Sequence, residues 1–201
     1  MKATRSPLVA LLVSVFASAG LLLSACSEPP KFNSTDISMV DWGKDFQLTD
    51  HTGKVARLAD YRGKAVILFF GYTQCPDVCP TTLTTMNEAL KLMGEDAKRV
   101  QVVFVTVDPA RDTQALLAQY VPSFNTSFVG LTGDDAAVAD VAKNFRVFYA
   151  KQPGKTPTTY SVDHSTGSYA FDPQGRLRLL VRHGETPDRV ASDLKLLLAS
   201  K

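Results

Sequence analysis

Two continuous apolar runs constrain the fold of this chain more than any other feature of its sequence. Residues 65–70 are all apolar, and residues 100–107 contain only two polar side chains, Gln101 and Thr106. Such runs are typical of strands covered on both faces, as in a parallel sheet between layers of helices. The segment between them carries apolar residues at helical spacing, namely Leu83, Met86, Leu90 and Met93. The sequence therefore predicts an α/β fold in which a strand, a helix and a second strand follow one another.

Hairpin patterns flank this central unit on both sides. Residues 46–48 and 55–57 surround a turn-rich connection, which predicts a hairpin near the N-terminus. Residues 169–171 and 177–181 surround the sequence Asp-Pro-Gln-Gly, in which proline and glycine suit the second and fourth positions of a β-turn. The sequence therefore predicts an additional hairpin near the C-terminus.

Three further helices are predicted, over residues 112–120 with Asp112 as the cap, over residues 134–145, and over residues 187–199. Residues 151–158 are rich in proline, glycine and lysine and are predicted to form a loop. This order of elements is that of a thioredoxin-like domain with added hairpins. We therefore expect an α/β, thioredoxin-like fold over residues 41–201.

The first 25 residues have the pattern of a bacterial lipoprotein signal peptide. Lys2 and Arg5 form a basic start, the sixteen residues 8–23 form an apolar run without charge, and small residues then lead to Cys26. We expect residues 1–25 to be removed and the Cys26 thiol to be lipidated. A permanent transmembrane anchor is the alternative, but the apolar run is shorter than the roughly 20 residues that a spanning helix needs.

Either form of attachment places the rest of the chain outside the cytoplasm. Residues 26–40 are polar, contain Pro29 and Pro30, and predict a tether that would hold the domain by a lipid anchor at the periplasmic face of a bacterial membrane. The net charge of the full chain is +2, and loss of Lys2 and Arg5 leaves 20 basic and 20 acidic side chains. A neutral domain gives no reason to expect nucleic-acid binding.

Cys75 and Cys79 are the cysteines left after lipidation of Cys26. A disulfide between them would close a very small loop and would stabilise the fold little, so a chemical role is favoured over an inert bridge. They lie where the first apolar strand leads into a helix, and free N–H groups at a helix start stabilise thiolates. Their spacing places both sulfur atoms on one side of the helix, where they could form a redox pair or bind one ion.

The three histidines of the chain differ in context. His51 lies in a turn and His183 follows the last predicted strand, so both are expected to be solvated. His164 lies in the segment that leads into the C-terminal hairpin, and in a thioredoxin-like sheet this segment lies against the cysteine helix. His164 is therefore the candidate third ligand, with a solvated loop histidine as the alternative.

Two thiolates and one imidazole suit copper, because thiolates select Cu(I) and imidazole accepts both oxidation states. Structural zinc normally requires four protein ligands, and the sequence offers no convincing fourth. Asp163 could orient His164 through a hydrogen bond or could be an ordinary exposed carboxylate. Asp108 could simply end the second apolar strand, or it could belong to a rim near the metal or to a partner-docking surface.

Three separated segments, 69–80, 107–113 and 162–165, together resemble the Sco/SenC family, and the likeness extends from about residue 40 to the C-terminus. This resemblance implies a thioredoxin-like fold that binds one copper ion through Cys75, Cys79 and His164. The implied role is delivery of copper to the CuA centre in subunit II of cytochrome c oxidase, or to another copper protein. Reduction of the cysteines of that centre is implied as a second possibility.

Other functions use the same residues. A thiol–disulfide oxidoreductase would use Cys75 and Cys79, although three residues separate them and no proline falls between Pro157 and Pro173, where redox enzymes of this fold place a cis-proline. A peroxidase of the peroxiredoxin type is disfavoured because Thr73 precedes Cys75 by two residues rather than three. A sensor of copper or of redox state needs the same site as a copper carrier and stays open.

Overall fold

The computed structural model describes residues 30–155 and 159–200, and its core is built on the two predicted apolar strands. Strands β4 (Ala65–Gly71) and β5 (Val100–Thr106) are buried along their whole lengths. They pair in parallel, with Ala65 opposite Val100 and Gly71 opposite Thr106. Helix α1 (Val78–Met93) connects them and buries the predicted apolar positions. The predicted strand, helix and strand are confirmed.

These two strands lie at the centre of a mixed sheet. Its other strands are β1 (Thr35–Asp36), β2 (Gln47–Asp50), β3 (Val55–Arg57), β6 (Val129–Thr132), β9 (Ser168–Phe171) and β10 (Leu177–Val181). The order of the strands in the sheet is β1-β10-β9-β4-β5-β6-β2-β3. Its parallel part is β4-β5-β6, and the remaining neighbours pair antiparallel. Both predicted hairpins, β2–β3 and β9–β10, are present.

Helices cover the sheet and explain the burial of its central strands on both faces. They are α2 (Gln114–Phe124), α3 (Asp135–Asn144) and α4 (Pro187–Ala199), with short 3-10 helices at Leu58–Tyr61 and Gly94–Arg99. Helix α1 packs against α4. None of the helices within residues 30–155 and 159–200 has the length and apolar character needed to cross a bilayer. The arrangement is the predicted α/β, thioredoxin-like fold.

A separate two-stranded sheet, which the sequence did not predict, flanks the predicted loop and overlaps it at residues 151–152. Strands β7 (Tyr149–Gln152) and β8 (Ser161–His164) pair antiparallel, with Tyr149 opposite His164. Within β8 only Val162 is fully buried, so the segment lacks the apolar pattern that marks a strand in sequence. The hairpin fixes the position of His164.

The N-terminal part of the domain starts earlier than expected. Residues from Phe32 onward belong to one compact unit, and β1 pairs with β10 inside the segment predicted as a tether. The amides of Asn33 and Ser34 both donate to Asp193 at 2.8 Å. Residue 41 is therefore wrong as the start of the folded domain. The apolar pattern of the sequence does not reveal these contacts, because they use backbone groups. The predicted signal peptide, residues 1–25, and Cys26 lie outside the described residues.

Candidate metal centre

The structure brings Cys75, Cys79 and His164 together. Their ligand atoms all lie within 4.8 Å of one another, and the Cys79 sulfur lies 3.5 Å from His164 Nε2. Cys75 lies in the loop after β4, Cys79 in the first turn of α1, and His164 at the end of β8. Both cysteines are free thiols, and the Cys79 amide donates to the Cys75 sulfur at 3.4 Å. The fold therefore makes one cluster from residues that are up to 89 positions apart.

Gly71 leaves room for this cluster at the end of β4. A Cβ atom at this position would lie 2.8 Å from the Cys79 sulfur and 2.9 Å from a ring carbon of Phe104. Both neighbours are buried, so neither can move away easily. The glycine therefore allows the sulfur to sit directly against the end of the strand.

The His164 ring is oriented by the backbone. Its Nδ1 atom lies 2.9 Å from the carbonyl oxygen of Ser165, which can only accept a hydrogen bond. Nδ1 therefore carries the proton, and the lone pair of Nε2 points to Cys79. Burial lowers the pKa of His164, which favours the neutral ring that a metal ligand requires.

Of the two alternatives for Asp163, the structure shows the exposed carboxylate and not a hydrogen bond to His164. Its exposed carboxylate accepts a hydrogen bond from Gln152 Nε2 at 2.7 Å, across the β7–β8 hairpin. Neighbours along a strand point to opposite faces, so the Asp163 side chain faces away from the ring of His164. The Ser165 carbonyl orients the ring instead.

Burial changes the acidity of one thiol in a direction opposite to the expected one. Cys79 has no exposed surface, and burial raises the pKa of its thiol, with the nearby Cys75 and Asp112 adding to the increase. The effect of the helix start is smaller than the cost of removing a thiolate from water. A bound cation would reverse this balance, because a coordinating thiol loses its proton to the metal.

Asp112 anchors the cysteine loop instead of capping α2. It is fully buried and accepts hydrogen bonds from the amide of Thr73 at 3.0 Å, from the Thr73 hydroxyl at 2.6 Å and from the Thr106 hydroxyl at 2.7 Å. Burial raises its pKa. The cap of α2 is Thr113, whose hydroxyl accepts from the Leu116 amide. The polar Thr106 inside an apolar strand is the one sequence signal of this anchor.

Asp108 belongs to a network that joins the two halves of the site. It is buried and accepts hydrogen bonds from Arg111 Nε and from the Tyr160 hydroxyl, the latter at 2.7 Å. Arg111 Nη1 donates to the Tyr160 carbonyl at 2.8 Å and to Gln74 Oε1 at 3.0 Å. The guanidinium also lies 3.6 Å from the centre of the Tyr160 ring. The network therefore links the cysteine loop to the hairpin that carries His164.

Neither of the other histidines joins the cluster. His183 is exposed, as predicted, with its Nδ1 3.2 Å from the Thr82 hydroxyl. His51 is half-buried, and its Nδ1 accepts from the amide of Gly130 at 3.0 Å. The expectation that His51 is solvated is wrong, because β6 lies beside its turn.

The chemistry of the donor set fits a soft monovalent cation. Two sulfur atoms and one imidazole nitrogen match the ligands that Cu(I) prefers. Structural zinc would require a fourth protein ligand. Within the part of the chain that the structure describes, no fourth Cys, His, Asp or Glu ligand atom joins the group. The cluster can therefore hold copper through three protein ligands.

Known proteins resemble this chain in sequence over most of its length. The family model SCO1/SenC matches residues 35–199. The SCO2-like protein RC0895 of Rickettsia conorii is 35% identical over 171 residues, which cover 84% of this chain and 83% of that protein.

Solved structures share the fold. The structure of Bradyrhizobium japonicum ScoI with copper bound is 43% identical, has a TM-score of 0.70, and covers 75% of this chain and 96% of its own. The solution structure of apo Sco1 from Thermus thermophilus is 40% identical, has a TM-score of 0.74, and covers 83% of this chain and 97% of its own. The extent of these matches settles the family: the chain belongs to the SCO1/SenC family.

Proposed function

We propose that the protein is a copper metallochaperone that delivers copper to the CuA site in subunit II of cytochrome c oxidase. The observation that carries this proposal is the convergence of Cys75, Cys79 and the free Nε2 of His164. Membership of the SCO1/SenC family supports it, and so does the bound copper of the B. japonicum relative.

Copper is the cargo in this mechanism, and the three side chains have different roles. Uptake of Cu(I) releases the proton of each thiol that is protonated, and the neutral His164 ring supplies a third bond without proton loss. Cys79 is fully buried, and the ring of the half-buried His164 is held by the Ser165 carbonyl, whereas the half-buried Cys75 lies in a loop. A thiolate of the recipient therefore replaces Cys75 first, and the ion passes by exchange of one ligand after another.

The place of action in this proposal is the periplasmic face of a bacterial membrane, with a lipid anchor at Cys26. The support is the order of basic, apolar and small residues before that cysteine. Mass spectrometry of the mature protein should find a lipid on Cys26, and Cys26→Ser should abolish it. A mature protein that keeps residues 1–25 would contradict the anchor.

A transfer experiment tests the delivery of copper. The copper-loaded protein is mixed with the reduced, metal-free CuA domain of subunit II, and the optical spectrum of the CuA centre is followed after oxidation. We expect transfer from the wild type and from the control His183→Ala, and little transfer from Cys75→Ser. Copper that stays on the wild-type protein in the presence of excess recipient would contradict the proposal.

A second candidate function is reduction of the recipient's cysteines, and the two free thiols favour it. The Cys75 thiolate would attack the recipient disulfide, so that one S–S bond breaks and a mixed disulfide forms. Cys79 would then attack Cys75, release the recipient as a dithiol, and leave the Cys75–Cys79 pair oxidised. Recipient reduction that is equally fast in His164→Ala and in the wild type, without copper, would favour this function.

A further inference from the structure

A polar cavity of about 370 Å³ lies beside the first residues of the folded unit. It lies at the edge formed by β1 and β10, beside the first turn of α4. Its lining residues are Asn33, Ser34, Thr35, Arg182, Glu185 and Arg189. None of them belongs to the candidate metal centre.

The lining of this cavity carries more positive than negative charge. Arg182 is exposed, and within residues 30–155 and 159–200 its side chain has no hydrogen bond or ion pair. The side chain of Arg189 is half-exposed and pairs with Glu185 at 3.2 Å. Two guanidinium groups therefore face one carboxylate. Guanidinium is the side-chain group best suited to phosphate, because its planar donors match the phosphate oxygens.

Ser34 supplies a second, independent indication of a ligand. Its side chain is among the buried polar groups with 8% of its surface exposed, and its hydroxyl has no hydrogen-bond partner among the described residues. Buried hydroxyls are normally hydrogen-bonded. The Ser34 amide is already held by Asp193, which fixes the residue at the wall of the cavity. The hydroxyl is thus a buried and unused polar group in the wall of the cavity.

We propose that this cavity binds the phosphate of an anionic phospholipid headgroup. The short stretch of chain between Cys26 and the cavity points to a membrane phospholipid as the source of the phosphate. Asn33 follows Cys26 by seven residues, and seven extended residues reach at most about 25 Å. The inference therefore rests on the proposed lipid anchor at Cys26, which keeps the cavity within that distance of the membrane, and it does not rest on copper transfer.

A headgroup in this cavity would also orient the metal centre. Strands β4 and β10 both run antiparallel to β9, so Arg182 after β10 lies at the same end of the sheet as the cysteine loop after β4. The contact between His183 and Thr82 of α1 joins the two regions. Binding of the headgroup therefore holds the metal centre close to the membrane surface.

Hydrogen exchange of the full lipidated chain in vesicles tests this inference. The chain is reconstituted in phosphatidylcholine vesicles with and without phosphatidylglycerol, and exchange is followed at residues 33–35 and 182–185. We expect exchange in the anionic vesicles to be slower by at least about fivefold, the factor for one cation near an anionic surface. Arg182→Gln with Arg189→Gln should remove this difference.

The matched control removes the same charge elsewhere. Lys54 and Lys143 are exposed and lie outside the cavity, so Lys54→Gln with Lys143→Gln should keep the difference between the vesicles. Thermal unfolding of each variant checks that the fold is intact. Equal exchange in the two kinds of vesicle would overturn the proposal. Protection by inorganic phosphate in detergent, without protection by anionic vesicles, would overturn the headgroup as ligand and leave a site for free phosphate.

Discussion

Cys75 and Cys79 are unequal in exposure although they are only four residues apart. The Cys75 side chain is half-buried, whereas Cys79 is fully buried and burial raises the pKa of its thiol. Only the thiolate is nucleophilic, so both access and acidity disfavour attack by Cys79. From this difference in exposure and acidity we infer that Cys75 contacts the partner protein and that Cys79 retains the ion.

This inequality predicts the order of alkylation in the reduced, metal-free protein. Iodoacetamide at neutral pH should modify Cys75 before Cys79, because the Cys79 thiol is buried and remains protonated. Peptide mass spectrometry at increasing times measures both rates. In the unfolded protein, which serves as the control, the two rates should become similar. Modification of Cys79 first in the folded protein would contradict the assignment.

At the scale of elements, the β7–β8 hairpin is held over the cysteine loop by Arg111. Its guanidinium bonds to Asp108, to the Tyr160 carbonyl and to Gln74. The hairpin pairs with no strand of the main sheet among the described residues. The position of His164 therefore depends on side-chain contacts as well as on backbone pairing.

Arg111→Ala should loosen this hairpin. It leaves the buried Asp108 with only the half-exposed Lys151, whose Nζ lies 4.0 Å away, so we expect a loss of about 3 kcal/mol in the free energy of unfolding. Denaturant unfolding measures this loss, and hydrogen exchange should become faster at residues 161–164. Arg111→Lys keeps the charge but not the fork of donors, and it should give a smaller effect. Unchanged exchange at residues 161–164 in Arg111→Ala would contradict the role of the network.

The elements that sequence predicts well are those with a strong apolar pattern. Strands β4 and β5 and helix α4 were predicted within about one residue of their observed bounds, because their buried faces repeat regularly. Strand β6 and the β7–β8 hairpin were missed because neither has the tight-turn signal that marks the equally short strands β2, β3 and β9. Strands this short depend on their neighbours in the fold more than on their own composition.

The candidate site was predicted to a similar extent. The three residues of the cluster follow from residue chemistry and from the resemblance, and the structure places them together. The supporting contacts could not be predicted, because Asp112 and the Ser165 carbonyl act through a fold that brings distant segments together. The sequence rules for helix capping predict Asp112 as the cap of α2, whereas its side chain accepts hydrogen bonds from Thr73 and Thr106.

At the scale of the whole molecule, Asp193 of α4 binds the first residues of the folded domain. Its buried carboxylate accepts from the amides of Asn33 and Ser34 and from the Asn33 side chain. These contacts join residues about 160 positions apart in sequence. The segment that starts at Asn33 is therefore part of the folded unit.

Asp193→Ala should release this segment. A hydrogen bond to a charged group contributes about 1.5–3 kcal/mol, so we expect the free energy of unfolding to fall by roughly 2–4 kcal/mol. Denaturant unfolding measures the loss, and hydrogen exchange at residues 33–36 should become faster. Asp140→Ala, at an exposed position of α3, is the matched control and should change stability by less than about 0.5 kcal/mol. A loss no larger than that of the control would contradict the role of Asp193.

The central claim is that folding makes His164 a copper ligand together with the two cysteines. Competition with a chromogenic Cu(I) chelator measures the affinity of the reduced protein most directly. The account predicts that His164→Ala binds at least about tenfold more weakly than the wild type, since even a residue that only supports a ligand is worth about that much. His183→Ala should bind as the wild type does. Equal affinities of His164→Ala and the wild type would contradict the account.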